Sequence, residues 1–150
     1  MANIHRARTI AAAPEEVWNL LADFGSINSW AANIAHSCIL NQGSDGGPLG
    51  TTRRVQVGRN ALVERITEFD PPHALAYDIE GLPLRLPRVT NRWTLQPTPD
   101  GATVVTITST VEIGSPLLLK LAAHLPCQLL ARQSGVMLAG LANRLEKPGV

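Results

Sequence analysis

The chain has 150 residues, is 45% hydrophobic and 17% charged, and carries a formal net charge of +1. That is the length of a single domain, residues 1–150, able to bury a full core without staples, and the composition excludes a disordered chain. Acidic and basic residues are interspersed with no Lys/Arg run, so nucleic acid is not expected as a partner.

Along the chain, "NIHRARTI" (3–10) alternates loosely enough for an edge strand. Pro14 suits the first turn of a helix, and Glu15 and Glu16 suit its positive end. Val17, Leu20, Leu21 and Phe24 recur at helical spacing and predict one buried stripe. Gly25 should end or bend this helix, and "SINSW" reads as a second short turn with Ser26 as N-cap.

Strands are then expected at 34–41, 51–57, 62–70, 74–80, 88–96 and 103–113, separated by turn chemistry such as "QGSDGGPLG", "GRN", "DPPH" and "PTPDG". Short connections favour antiparallel pairing, because a parallel pair needs a crossover of about a dozen residues or more. Ser115 and Pro116 open a long C-terminal helix with Leu118, Leu121, Leu125, Leu129, Val136 and Gly140 on one face, Leu141 and Leu145 on a neighbouring row, and a kink or split at Pro126. One antiparallel sheet with one long helix to cover it is an α+β layer architecture. No apolar run reaches the roughly 18 residues needed to span a bilayer; the longest, from Leu117, is interrupted by Lys120, His124 and Pro126. The N-terminus has no secretory pattern, so a cytoplasmic protein with reduced Cys38 and Cys127, and not an integral membrane protein, is expected.

"IAAAPEEVWNLLADFGSINSW", "GTTRRVQV", "LVERITEFDPPHALAYDIEG" and "PDGATVVTIT" resemble the START-like helix-grip superfamily (SRPBCC), specifically its polyketide cyclase/dehydrase branch, over nearly the whole chain. The resemblance implies a curved antiparallel seven-stranded sheet wrapped around the C-terminal helix, with two short helices after the first strand. It also implies an apolar chamber between sheet and helix, with Trp30 near its wall. Fold alone does not settle chemistry.

Strand alternation sorts the candidate residues onto faces. Arg53 shares a face with Val55 and Val57, and Glu64 with Leu62 and Ile66, so both charges point at the core or chamber. Opposite charges placed there meet each other or a ligand, because a buried unpaired charge is costly. If Arg53 anchors a ligand, Arg53→Ala weakens binding more than it lowers the melting temperature; equal losses mark a brace. Asn91 and Trp93 share one face, as do Leu75, Tyr77 and Ile79, and Tyr77, Asn91 and Ser109 are the polar handles. His36 and Cys38 share a strand face, but a closed metal site needs about four ligands and the spacing supplies no more, so no metal and no cofactor are expected.

The leading expectation is a protein binding a small hydrophobic molecule (lipid, polyketide-like or aromatic) through Trp30, Arg53, Glu64, Tyr77, Asn91 and Trp93. The first alternative is a cyclase/dehydrase-type enzyme with Arg53 and Glu64 as catalytic groups, although no distinctive catalytic constellation is present. The second is an interaction module, a homodimer among its options, that docks through the leucine-rich helix or the "PLRLP" rim. "GSDGGPLG", which lies between strands and opens no helix, suits a gate over the chamber mouth rather than a phosphate cradle.

Overall fold

The computed structural model describes residues 2–81, 88–112 and 124–146. Its elements are β1 (Ala2–Ile10), α1 (Pro14–Ala22), a 3-10 helix η1 (Phe24–Ser29), β2 (His36–Asn41), β3 (Thr52–Val57), β4 (Asn60–Asp70), β5 (Ala74–Glu80), β6 (Arg88–Pro97), β7 (Thr103–Glu112) and a helix, here α2 (His124–Glu146). The sheet has seven strands in the order β1-β7-β6-β5-β4-β3-β2, and every neighbouring pair is antiparallel. The expected α+β arrangement and element order are present.

Differences from the expected boundaries have local causes. The first helix stops at Ala22, because Asp23 has ψ 70° and turns the chain before Gly25 is reached. Phe24 therefore opens η1 instead of closing the helical stripe, and Trp18 joins Val17 and Leu21 among the buried residues of α1. Ser26 stands at a kink within η1, at non-helical φ −107°, ψ 22°, where two short helical turns meet, while the N-cap of the whole element is Asp23, which makes no side-chain cap bond. β2 begins at His36, two residues late, because Ile34 N–H is used in a turn to the Ala31 carbonyl.

The expected start of the long helix at Ser115 and Pro116 lies outside the described residues, as do the side chains of Leu118, Leu121, Leu125 and Leu129. From His124 the helix runs unbroken, so Pro126 neither splits nor interrupts it within that range. On its described side chains the buried face is Ser134, Met137, Leu138, Leu141 and Ala142, while Val136 and Gly140 are only half-buried. Gly140 of the expected face lies against the backbone of Trp30: a Cβ built there would overlap the Trp30 carbonyl oxygen. Only glycine admits so close an approach.

The core joins the inner sheet face to α1, η1 and α2 in one hydrophobic cluster. α2 lies along β1 and β7. Both sheet edges are guarded: on β1, Arg6 and Arg8 stand exposed beside Gly135 and Leu138 of α2, and β2 carries a bulge between Ile39 and Asn41 and packs against η1. Charge at an edge and a bulge are both ways to stop a strand from pairing with a foreign one.

Candidate functional site

Antiparallel register lines the inner-face residues up in rows across the sheet. Arg53 faces Glu64, which faces Ile79, then Val89 and Val111. In the adjoining row Ile66 faces Tyr77, Tyr77 faces Asn91, Asn91 faces Ser109, and Ser109 faces Ile4. One row thus carries a charge pair and the next carries three uncharged polar groups, in rows otherwise apolar. Arg53, Glu64, Tyr77, Asn91, Trp93 and Ser109 are exposed by 5% or less, and Trp30 by 7%.

In the first row Arg53 Nε donates to Glu64 Oε1 at 2.7 Å, and Nη1 donates to the Phe24 carbonyl at 2.9 Å. Nη2 lies 2.7 Å from the same Oε1 but is not aligned to donate to it. The guanidinium carbon sits 3.7 Å from the Phe24 ring centroid and 4.7 Å from that of Tyr77. Desolvated contacts of this kind contribute about 2 kcal/mol. The turn at Asp23 carries Phe24 to this position, so η1 supplies both a ring and a carbonyl to hold the arginine. Residue spacing identified Phe24 only as a buried apolar position; a backbone acceptor leaves no trace in residue type.

In the second row Ser109 Oγ donates to Asn91 Oδ1 at 2.6 Å, and Asn91 Nδ2 donates to the Tyr77 oxygen at 3.4 Å. The short separation suits O–H···O and the long one N–H···O, in keeping with this amide orientation. Trp93 Nε1 donates to the same phenol oxygen at 3.2 Å. Hydrogens therefore flow from Ser109, Asn91 and Trp93 toward Tyr77, and no acceptor among the described residues takes the phenol's own hydrogen. Edge-to-face contacts complete the cluster, Phe24 on Tyr77 at 5.6 Å and Trp30 on Trp93 at 5.9 Å between centroids, each adding about 0.5–1.5 kcal/mol beyond area burial.

Burial pushes the Tyr77 phenol above its ordinary 10.0, and the Glu64 carboxylate raises it further, against the Arg53 charge and the bonds from Trp93 and Asn91. A folded value above the unfolded one stabilises fully below the unfolded pKa, and the contribution fades as pH climbs through the folded one. Tyr77 is the only tyrosine, so phenolate absorbance reports this group alone. The expected titration shows no phenolate up to pH 10.0 and its appearance together with unfolding, with the alkaline loss of stability flattened in Tyr77→Phe. Phenolate forming at the ordinary value in a folded chain would contradict this burial.

A cleft of about 470 Å³ opens between η1, the β2–β3 connection and β4, lined by Phe24, Ser26, Ile39, Pro48, Thr51 and Ile66 among others. Phe24 borders it on one side and stacks on Arg53 on the other. Leu49, at 52% exposed, and Leu40, at 45%, stand out around this connection. The "PLRLP" rim lies outside the described residues. His36 and Cys38 are exposed on β2, and the described residues hold no group of three or more His, Cys, Asp or Glu placed for a metal. No described helix is long and apolar enough to cross a membrane.

The family model for polyketide cyclase/dehydrase and lipid transport matches residues 1–146. The chain belongs to this family. Among solved structures, this family member is similar to a protein from Thermobifida fusca at 26% identity and TM-score 0.79, covering 98% of this chain and 95% of that one. It is similar in fold to the ZhuI aromatase/cyclase from Streptomyces sp. R1128, at 19% identity, TM-score 0.78 and 99% of both chains. A START superfamily protein from Mycobacterium smegmatis shares the fold at 16% identity and TM-score 0.77, with 98% and 99% covered. No curated protein matches the sequence. The helix-grip architecture of the START-like proteins is therefore that of this chain.

Proposed function

We propose that this family member binds a small hydrophobic molecule between the inner sheet face and the C-terminal helix, with its polar end held at Tyr77, Asn91 and Ser109. The observation that carries this reading is the direction of the buried hydrogen bonds: Asn91 and Trp93 both donate to the Tyr77 oxygen, with Ser109 donating to Asn91 behind them, and the phenol's own hydrogen is left to give. A phenol kept neutral by burial is a donor at every physiological pH, which suits an oriented ligand contact in an apolar wall. Trp30 and Trp93 form that wall, and the cleft beside Phe24 is the access route, gated by the β2–β3 connection. Arg53 and Glu64 serve this site as a brace: they occupy each other, and the guanidinium fixes the Tyr77 ring from below.

The cyclase/dehydrase reading rests on the same phenol, which would donate to a carbonyl oxygen as it gains enolate character. In that reading Tyr77 is the catalytic donor, and Arg53 and Glu64 position it. The unpaired, exposed thiol of Cys38 accords with a reducing, cytoplasmic setting.

Native mass spectrometry of the purified chain, followed by organic extraction, tests the binding reading. A retained small molecule is the expected result, and Tyr77→Phe should lose most of it at an unchanged fold. A wild-type chain that is empty and takes up no apolar ligand would end this reading. Turnover of the extracted compound, abolished in Tyr77→Phe, would move the assignment to an enzyme.

A further inference from the structure

Trp30 differs from the other polar members of the inner face. Its indole Nε1–H is buried and has no hydrogen-bond partner among the described residues, whereas Trp93 gives its N–H to Tyr77. Leaving such a donor unmet costs about 1–3 kcal/mol, and phenylalanine would fill much of the same wall without that cost. The two indoles stand nearly perpendicular, at 86°, so Trp93 links Trp30 to the phenol at the end of the hydrogen-bond chain.

Two buried oxygens also lack partners, Asn33 Oδ1 between η1 and β2 and Thr52 Oγ1 beside Arg53 on β3, but on the inner face from Trp30 to Tyr77 and Arg53 the spare polar capacity consists of hydrogens. Trp30 Nε1–H and the Tyr77 O–H have no acceptor among the described residues, and Arg53 Nη2 is unaligned with its carboxylate. An ammonium or amide N–H group brought here would set donor against donor. A carboxylate would add a charge where Arg53 and Glu64 already cancel, and a buried charge without a counter-ion is costly. A neutral carbonyl oxygen, with two lone pairs and no hydrogen, matches what is left.

We infer that Trp30 is a specificity residue whose indole N–H donates to a neutral carbonyl oxygen of the bound hydrophobic molecule. This rests on the binding reading above and adds to it the chemical class of the ligand's polar end and a donor outside the Tyr77 row.

The test uses two probes of nearly equal shape, acetylnaphthalene and ethylnaphthalene substituted at the same ring position. Calorimetric affinities are measured on the wild type and on Trp30→Phe, and the indole N–H signals are followed by NMR. The expected result is a ketone preference of about tenfold in the wild type, the size of one satisfied hydrogen bond. Trp30→Phe, which also trims the wall, should weaken both probes but the ketone several-fold more, so that the preference falls to the share the Tyr77 hydroxyl supplies. The Trp30 indole signal, assigned in the wild type, should shift with the ketone and stay with the hydrocarbon; this readout decides the matter even if Trp30→Phe fails to fold. Hydrocarbon binding with no ketone preference, or a preference undiminished in Trp30→Phe, overturns the role of Trp30 and leaves the binding reading standing. Failure of both probes to bind removes the binding reading and this inference together.

Discussion

Arg53→Ala is expected to lower the unfolding free energy by about 3–5 kcal/mol, the usual cost of removing one partner from a buried ion pair. Three losses combine: Glu64 keeps a carboxylate at 5% exposure, the Phe24 carbonyl loses its donor, and two rings lose the cation between them. At this chain length about 2–4 °C accompanies each kcal/mol, so the melting temperature should fall on the order of 10 °C. Arg53→Lys should fall between, because a single ammonium cannot reproduce the guanidinium fork toward both acceptors. Replacing both partners, Arg53→Met with Glu64→Leu, should recover most of the loss, since the two charges leave together. Denaturant midpoints at constant slope supply the measurement. An Arg53→Ala chain within about 0.5 kcal/mol of wild type, the range of an ordinary surface change, would refute the brace.

The second large effect concerns Gly140. In an ordinary helix interior Gly→Ala stabilises by about 1 kcal/mol. Here the added Cβ would overlap the Trp30 carbonyl oxygen and come within 3.4 Å of the Ala31 Cα, and both obstacles are backbone that cannot rotate away. Gly140→Ala should therefore destabilise by about 1–3 kcal/mol or more, as overpacking does, and should alter tryptophan fluorescence through the displaced Trp30. Gly135 on the same helix is the internal control: a Cβ there meets nothing within 4 Å, so Gly135→Ala should stabilise. Opposite signs for the two alanines are the expected outcome. If both stabilise, the helix does not sit as close to η1 as described.

Period-two alternation made the Arg53–Glu64 neighbourhood legible before any coordinates, because the short connection between β3 and β4 allows little freedom of register: Val57 pairs with Asn60, and Arg53 falls opposite Glu64. Tyr77, Asn91 and Ser109 were legible as inward polar residues for the same reason. Their hydrogen-bond direction was not, since it depends on separations within a row. Nor could residue type reveal that the Phe24 carbonyl holds the arginine or that the Trp30 indole is unpartnered. Leucines at 3.6-residue spacing define a stripe, but they do not show that the helix meets the Trp30 backbone at Gly140. Asp23 shows the same limit: its backbone angle ended α1 before the glycine that looked like the natural stop.

The strand order has a consequence for how the molecule comes into being. β2 through β7 pair with strands next to them in the chain, so they can zip together as successive hairpins. β1 cannot: its partner begins at Thr103, and the two run in register from Ala2 opposite Val111 to Ile10 opposite Thr103. β1 must wait for β7 to be made, and a pairing of such long span is entropically slow to close. Until it closes, β7 is an open sheet edge beside an uncovered apolar face, the kind of species that aggregates. Arg6 and Arg8 of β1 put charge on the waiting segment, so the residues that guard an edge of the finished sheet also disfavour a wrong pairing before it is finished.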